Sequence, residues 1–198
     1  MISHIQSSPG YLKIFSEKES LFQAAETLKP EDSTSLEALA RTQIKIYNVF
    51  AEEIPTLIQK EREVTLSLVH SWGEREVQDV TQEIGKIETD TLQELLATAI
   101  RANRAANERL VNFQHLAGKL TQMGEQAKVL SKEGDVEKLR TFQEKFNALG
   151  SLILEERDWL VAHPPLESEE AVISTFKQKH QASEYLEDAI CSYNLKYN

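Results

Sequence analysis

Histidine and carboxylate side chains are the groups in this sequence best suited to metal or acid–base chemistry. Di-iron helical bundles need two inward-facing Glu-x-x-His motifs. The residues three positions before His70, His115, His163 and His180 are Ser67, Asn112, Leu160 and Lys177. None of them is acidic, and the sequence has no His-Glu-x-x-His or calcium-loop pattern. It therefore predicts no metal site.

Motifs for nucleophilic catalysis or phosphate binding are also missing. Cys191 and His180 are the one thiol–imidazole pair to consider, and their spacing on a single helix would separate them by about 16 Å. Gly118 and Gly124 are not followed by Gly-Lys-Ser/Thr, and no Gly-x-Ser-x-Gly occurs. Glutamate pairs such as Glu155–Glu156 are typical of solvated helix faces. We therefore expect neither catalysis nor a cofactor.

Basic residues cluster in the middle of the chain. They are Arg101, Arg104, Arg109, Lys119, Lys128 and Lys132. One interpretation is that they pair with the acidic stretch Glu74–Glu83 of an antiparallel neighbouring helix. The other is that they contact an acidic protein or anionic lipid headgroups, where each basic residue is worth ~1 kcal/mol near a membrane surface. The six residues are our candidate contacts for a partner or for lipid.

Two tryptophans are candidates for partner contacts of another kind. Trp72 lies on a predicted apolar stripe, and Trp159 precedes the sequence His163-Pro164-Pro165. Large aromatic residues near the ends of a bundle usually fill its core. Tryptophan is also enriched in the residues that contribute most to protein–protein binding. Trp72 and Trp159 are therefore either core residues or interface anchors.

The elements that position these side chains are predicted to be helices. Good helix formers dominate the sequence, whereas glycine (7) and proline (5) are scarce. The β-branched and aromatic residues do not alternate over any long run, which disfavours strands. The sequence therefore predicts an all-α fold.

Apolar residues spaced three and four apart predict four helices after a break at residues 29–35. The first runs from about Leu36 to Gly85, where Pro55 kinks or splits it and Gly73 is a second weak point. The others run from Thr91 to Leu130, from Val136 to Ala162, and onward from Ser168. The stripe of the first of these helices is Leu36, Leu39, Ile46 or Tyr47, Phe50, Ile54, Leu57, Val64, Leu68 and Trp72. In the next helix Asn103 falls on the seam, where a polar residue can fix helix register.

These helices suggest two domains. Residues 1–30 contain a short amphipathic helix whose apolar face is Leu12, Phe15, Phe22 and Leu28. Residues 31–198 are expected to form an elongated antiparallel helical bundle with coiled-coil-like seams, because short loops favour antiparallel neighbours. Helices of this length need more cover than one short chain easily supplies. We therefore expect a homo-oligomer, most simply a dimer.

The charge and the cysteine content exclude some classes of protein. The net charge is −10, and only residues 91–150 hold more bases than acids, which argues against nucleic-acid binding. Cys191 is the single cysteine, which fits a reducing compartment. The start of the sequence has neither the pattern of a cleaved signal nor an apolar run long enough to span a bilayer. We expect a cytoplasmic protein, with peripheral membrane association as an alternative.

The predicted function is that of a non-catalytic protein–protein interaction module: a scaffold, an adaptor or a delivered effector. The layout also resembles BAR-type domains, which are dimers of long kinked helices that bind and curve membranes. That resemblance implies a leading helix at residues 9–29, a kink at Pro55 and a lipid-facing region from Arg101 to Lys132. The net charge of −10 weighs against it, because such domains usually present strongly basic faces.

Overall fold

The structure is a computed structural model that describes residues 33–72, 77–134 and 136–197. Its helices are α1 (Ser33–Asn48), α2 (Ile54–Ser71), α3 (Val77–Glu133), α4 (Val136–Ala162), α5 (Glu169–His180) and α6 (Leu186–Tyr197). A π-helical turn, Val49–Glu53, joins α1 to α2. The described ranges contain no strand, and long helices pack together as an all-α helical bundle, which confirms the predicted fold class. The predicted segment 1–30, with Leu12, Phe15, Phe22 and Leu28, lies outside the described residues.

The helices divide into two compact units, where the sequence predicted one bundle over residues 31–198. Among the described residues, the first unit contains residues 45–103 and 166–197, and the second contains residues 33–44 and 104–165. Helix α3 contributes residues to both units.

In the first unit, the early part of α3 is the central helix. Its buried residues lie on several faces of the helix: Ile87, Thr91, Leu92, Gln93, Leu96, Ala97, Thr98, Ile100 and Ala102. A helix that is buried nearly all round needs partners on every side. Helices α5 and α6 cover one side through Val172, Phe176, Ala189 and Ile190. The buried hydroxyls of Thr91 and Thr98 donate to the carbonyls of Ile87 and Glu94, so they remain hydrogen-bonded inside the core.

In the second unit, α3 and α4 pair in antiparallel orientation. Arg109 bonds Glu156, and Leu116 packs in one cluster with Leu149. Leu36 of α1 joins the same cluster. Gly134 ends α3 with a φ of 75°, a left-handed conformation that costs glycine little because it has no Cβ.

The turn between α1 and α2 explains how the chain accommodates Pro55. The backbone N–H of Ile54 bonds the carbonyl of Val49, five residues back, instead of the residue four back. Proline has no N–H and collides with the preceding turn of a regular α-helix. Widening this turn removes that conflict, so the chain stays helical from Ser33 to Ser71 without a break.

Helix α3 begins earlier than predicted, at Val77 rather than near Thr91, and Gly85 lies inside it instead of ending the preceding helix. At 57 residues it is about 85 Å long. A Cβ on Gly85 would come 2.9 Å from Cε1 of Tyr185. Glycine therefore lets the Tyr185 ring pack closely on α3, which offsets its low helix propensity.

The helix predicted from Ser168 onward is two helices, α5 and α6, joined by a turn at residues 181–185. Its predicted start is confirmed, since Oγ of Ser168 accepts a hydrogen bond from the N–H of Ala171 at 3.2 Å. The two helices run antiparallel: Tyr193 Oη donates to Glu169, and Lys177 pairs with Glu187.

Candidate protein-binding surface

The outer face of α2 carries a line of exposed apolar side chains. Val64, Leu68 and Trp72 are 51%, 57% and 57% exposed. They are four residues apart, so successive side chains lie one helical turn from each other on the same face. We call these three residues the α2 ridge. Lys60, four residues before Val64, is also exposed and extends the line by one turn.

The ridge is exposed because of the π-helical turn, and this corrects the predicted stripe. A continuous α-helix would bury Leu57, Val64 and Leu68 on the face that begins at Leu36. The buried residues of α2 are instead Ile54, Ile58 and Val69. The π-helical turn holds one residue more than an α-helical turn. The side chains of α2 are therefore rotated about the helix axis, and the positions that face the core move by one residue. The predicted apolar stripe is buried at Leu36, Ile46, Phe50 and Ile54, whereas its later members Val64, Leu68 and Trp72 are exposed.

Hydrogen bonds fix the end of α2 where Trp72 is placed. The backbone N–H of Trp72 donates to the carbonyl of Val69 at 3.0 Å. Oγ of Ser71 donates to the carbonyl of Leu68 at 2.6 Å, and Nδ1 of His70 lies 2.7 Å from the carbonyl of Leu66. The Ser71 hydroxyl thus satisfies a carbonyl of the last turn that has no partner within the helix. As a result the indole is presented from an ordered helix end.

Arg109 is not a surface residue, although its sequence position suggested a contact with a partner or lipid. It is 1% exposed, and its guanidinium bonds Glu156 through two nitrogens, Nε–Oε2 at 2.6 Å and Nη2–Oε1 at 2.9 Å. Its Cζ lies 3.9 Å from the centre of the Trp159 ring. Glu156, which we expected on a solvated face, is 2% exposed. The Arg109–Glu156 pair therefore belongs to the interior of the second unit.

Trp159 shields this buried pair. Besides contacting Arg109, its ring stacks on His163, with centroids 4.5 Å apart and planes at 23°. The third guanidinium nitrogen of Arg109, Nη1, is buried and has no hydrogen-bond partner among the described residues. A cation facing an aromatic ring is stabilised by the ring quadrupole, which compensates in part for that lack. Of the two tryptophans, Trp159 is half-buried over the ion pair and Trp72 is exposed.

The other predicted basic contacts lie in different environments. Arg101 is half-buried, with its Cζ 5.9 Å from the Phe50 ring centre, whereas Arg104 and Lys132 are exposed. Lys119 is half-buried, and exposed Lys128 pairs with Glu125 at 2.7 Å. These side chains therefore do not share one environment.

Asn103, predicted on the seam of a long helix, is half-buried and bonds the backbone of Leu166. Its side-chain Nδ2 donates to the carbonyl of Leu166 at 3.1 Å, and its Oδ1 accepts from the N–H of Leu166 at 2.8 Å. The side-chain amide of Asn103 thereby binds both the N–H and the carbonyl of Leu166. Asn103 thus anchors the segment before α5 to α3.

A groove in the first unit has mixed polar and apolar walls. It has a volume of about 730 Å³ and lies between α2, α3 and the turn that joins α5 to α6. Arg62 and Glu88 bond each other on one wall, with Nε–Oε2 at 3.0 Å. On the other wall, burial and then the nearby Lys179 lower the pKa of His180, whose ring packs 4.3 Å from that of Phe176. The Arg62 and Glu88 charges largely satisfy each other, so this wall does not select a charged ligand.

The described residues show neither a group of metal ligands nor a membrane-spanning helix. Among residues 33–72, 77–134 and 136–197, no three His, Cys, Asp or Glu side chains are grouped as metal ligands would be. Within the same ranges, no helix combines the length and the apolar character needed to cross a bilayer.

Two features of the structure were not predicted, although the sequence carries a signal for each. Arg109 lies three residues after Ala106 and seven before Leu116, both buried, and Glu156 lies seven after Leu149 and four before Leu160. Charged residues at core spacing on two neighbouring helices indicate an internal ion pair. The residues of the α2 ridge were predicted as part of an apolar stripe. Whether they face the core or the solvent depends on the π-helical turn, which was not predicted.

No known protein family, curated protein or solved structure matches this chain.

Proposed function

We propose that this protein is a non-catalytic protein–protein interaction module, a scaffold or adaptor that binds its partner through the α2 ridge. The observation that carries the proposal is the exposure of Val64, Leu68 and Trp72 on one face of an ordered helix. Large apolar side chains at helical spacing are the anchors by which one helix recognises another. We further propose a reducing compartment such as the cytoplasm, because Cys191 has no second cysteine in the chain.

The physical gain from covering the ridge is large enough to matter. Fully burying a large apolar side chain stabilises a complex by about 1.5–3 kcal/mol. Each ridge residue is roughly half exposed, so covering all three contributes about 3 kcal/mol. Trp72 is the expected centre of the interface, because tryptophan is enriched among the residues that dominate binding energy.

Affinity capture from a lysate of the source cells tests this function. Purified full-length protein, immobilised, is compared with Leu68→Asp and with the control Val111→Asp. Val111 is a similarly exposed apolar residue, 63%, on α3. We expect at least one protein retained by the wild type and by Val111→Asp and lost with Leu68→Asp. Identical sets of retained proteins for all three baits would contradict the proposal.

Membrane-surface binding is the second candidate function. The observation in its favour is at the junction of α3 and α4, where exposed Val129 (57%) and Val136 (78%) flank exposed Lys132. Apolar side chains beside basic ones suit an anionic lipid surface. Sedimentation with vesicles of anionic phospholipid at low and physiological salt separates the two candidates. Pelleting that Lys132→Glu abolishes would support this second function, and no pelleting even at low salt would eliminate it.

A further inference from the structure

Lys60 and the α2 ridge form a pattern that is symmetric along the helix. Lys60, Val64, Leu68 and Trp72 are equally spaced, and the middle of the set lies at the level of Leu66. If a second α2 packs against this face in antiparallel orientation, with its midpoint at the same level, Val64 of each copy meets Leu68 of the other. Lys60 of each copy then meets Trp72 of the other. A two-fold axis therefore gives every residue of the pattern a partner in the other copy, and each kind of contact occurs twice.

The charge distribution favours that orientation. In an antiparallel pair, the Lys60 ammonium lies against the face of an indole, a favourable cation–π contact. In a parallel pair, Lys60 faces Lys60 of the other copy, and the like charges repel. Lys60 is the charged residue at one end of this line. Trp72, at the other end, carries the aromatic ring best suited to a cation.

We propose that the partner on the α2 ridge is a second copy of this chain, packed as an antiparallel α2–α2 pair with reciprocal Lys60–Trp72 contacts. This inference rests on the proposed function, because it uses the same ridge as the binding surface. Only a few large side chains per copy are covered, which is less than stable dimers usually bury. The dimer is therefore expected to be weak, with a dissociation constant of roughly tens to hundreds of micromolar.

Sedimentation velocity on the purified full chain tests the dimer. The monomer mass is 22.5 kDa, so the mass should rise toward about 45 kDa (twice 22.5 kDa) as the concentration increases from low micromolar to several hundred micromolar. Leu68→Asp should stay at the monomer mass, and the control Val111→Asp should behave as the wild type. A wild-type chain that stays monomeric throughout would overturn the inference, as would a dimer that Leu68→Asp leaves intact.

Two substitutions of the same residue test the orientation. In the antiparallel pair, Trp72→Glu brings a carboxylate to Lys60 of the other copy, whereas Trp72→Lys brings a second cation. We expect Trp72→Glu to dimerise at least about tenfold more tightly than Trp72→Lys, since opposite charges attract and like charges repel across the interface. In a parallel pair both variants place like charges together, so equal dissociation constants would contradict the antiparallel arrangement.

The two proposals fail differently. If the wild type is monomeric but Leu68→Asp still loses a protein captured from the lysate, only the second-copy inference is wrong. If a dimer forms through the ridge and nothing else is captured, the interaction function stands with the chain itself as its partner. If both measurements show no effect of Leu68→Asp, the ridge is not a binding surface and both proposals fail.

Discussion

Arg109 and Glu156 form a buried ion pair in the interior of the second unit. Two charges removed from water lose much hydration, and their attraction repays that loss only with good geometry. The two nearly parallel N–H···O bonds and the Trp159 ring supply such geometry. The pair therefore specifies how α3 and α4 align more than it adds to stability.

Removing one charge of this pair should be costly. Glu156→Gln leaves the Arg109 guanidinium buried without a counter-charge, so we expect unfolding free energy to fall by about 3–5 kcal/mol. Glu125→Gln makes the same chemical change in the exposed pair with Lys128 and should have little effect. Urea unfolding followed by circular dichroism measures both. Equal, small losses for the two variants would contradict the role assigned to the buried pair.

His180 should make stability depend on pH in a defined direction. Burial lowers its pKa from the usual 6.5, so the unfolded chain takes up a proton at a higher pH than the folded chain does. The contribution of neutral His180 to the free energy of unfolding is thus fully present above pH 6.5, and it is lost as pH falls through the folded-state pKa. The free energy of unfolding should therefore fall less between pH 7.5 and 5 in His180→Gln than in the wild type. Parallel curves of unfolding free energy against pH for wild type and variant would show that His180 is not responsible.

Little of the candidate site could be predicted residue by residue. The sequence identified Trp72 as a candidate anchor, but the basic cluster that it suggested also included Arg109, which is buried. Whether a charged side chain in a helix faces water or another helix depends on the partner helix, which one chain segment does not reveal. Core spacing on both α3 and α4 was the available signal.

At the scale of elements, the π-helical turn decides which side of α2 meets the core. A turn of this kind behaves as an α-helical turn with one residue inserted. Long apolar periodicity predicted helices through most of the chain, and the structure confirms them. The insertion itself leaves no periodic signal, so the sequence could indicate a disturbance at Pro55 but not the rotation that follows. The predicted helix end at Gly85 was wrong, because Tyr185 packs on that glycine inside α3. The end of α5 at His180 was not predicted, because a short turn interrupts the apolar pattern there.

Two deletions distinguish this explanation from a simple kink. Both are made in a Pro55→Ala background, so that a regular α-helix is allowed. Deleting Glu52 removes the extra residue of the π-helical turn and leaves Ile58 and Val69 facing the core. Deleting Glu63 removes the same residue type from regular α2 and rotates all later side chains by about 100°.

We expect the Glu52 deletion to retain a cooperative thermal transition near that of the Pro55→Ala parent. The Glu63 deletion should lower the midpoint strongly, because it turns buried Val69 toward solvent. Thermal unfolding at 222 nm measures both. If the two deletions lower the midpoint equally, the explanation of the π-helical turn as an α-helical turn with one inserted residue is wrong.

At the scale of the whole molecule, composition and periodicity were enough to predict an all-α helical bundle, because helix propensity and apolar spacing agree along most of the chain. The division into two compact units was not predicted, since the long α3 carries one continuous pattern through both. The proposed function depends on apolar side chains that remain exposed after packing. It uses the α2 ridge, which periodicity alone assigned to the core.

The most direct measurement is photo-cross-linking in the cells that naturally express the protein, with benzophenylalanine at position 68 and, as a control, at the exposed position Gln126. The account predicts a covalent adduct with another polypeptide from position 68 and a much weaker one from position 126. An adduct near 45 kDa, twice 22.5 kDa, identifies a second copy, and any other mass identifies a different partner. Equal or absent cross-linking at the two positions would contradict the claim that the α2 ridge is a protein-binding surface.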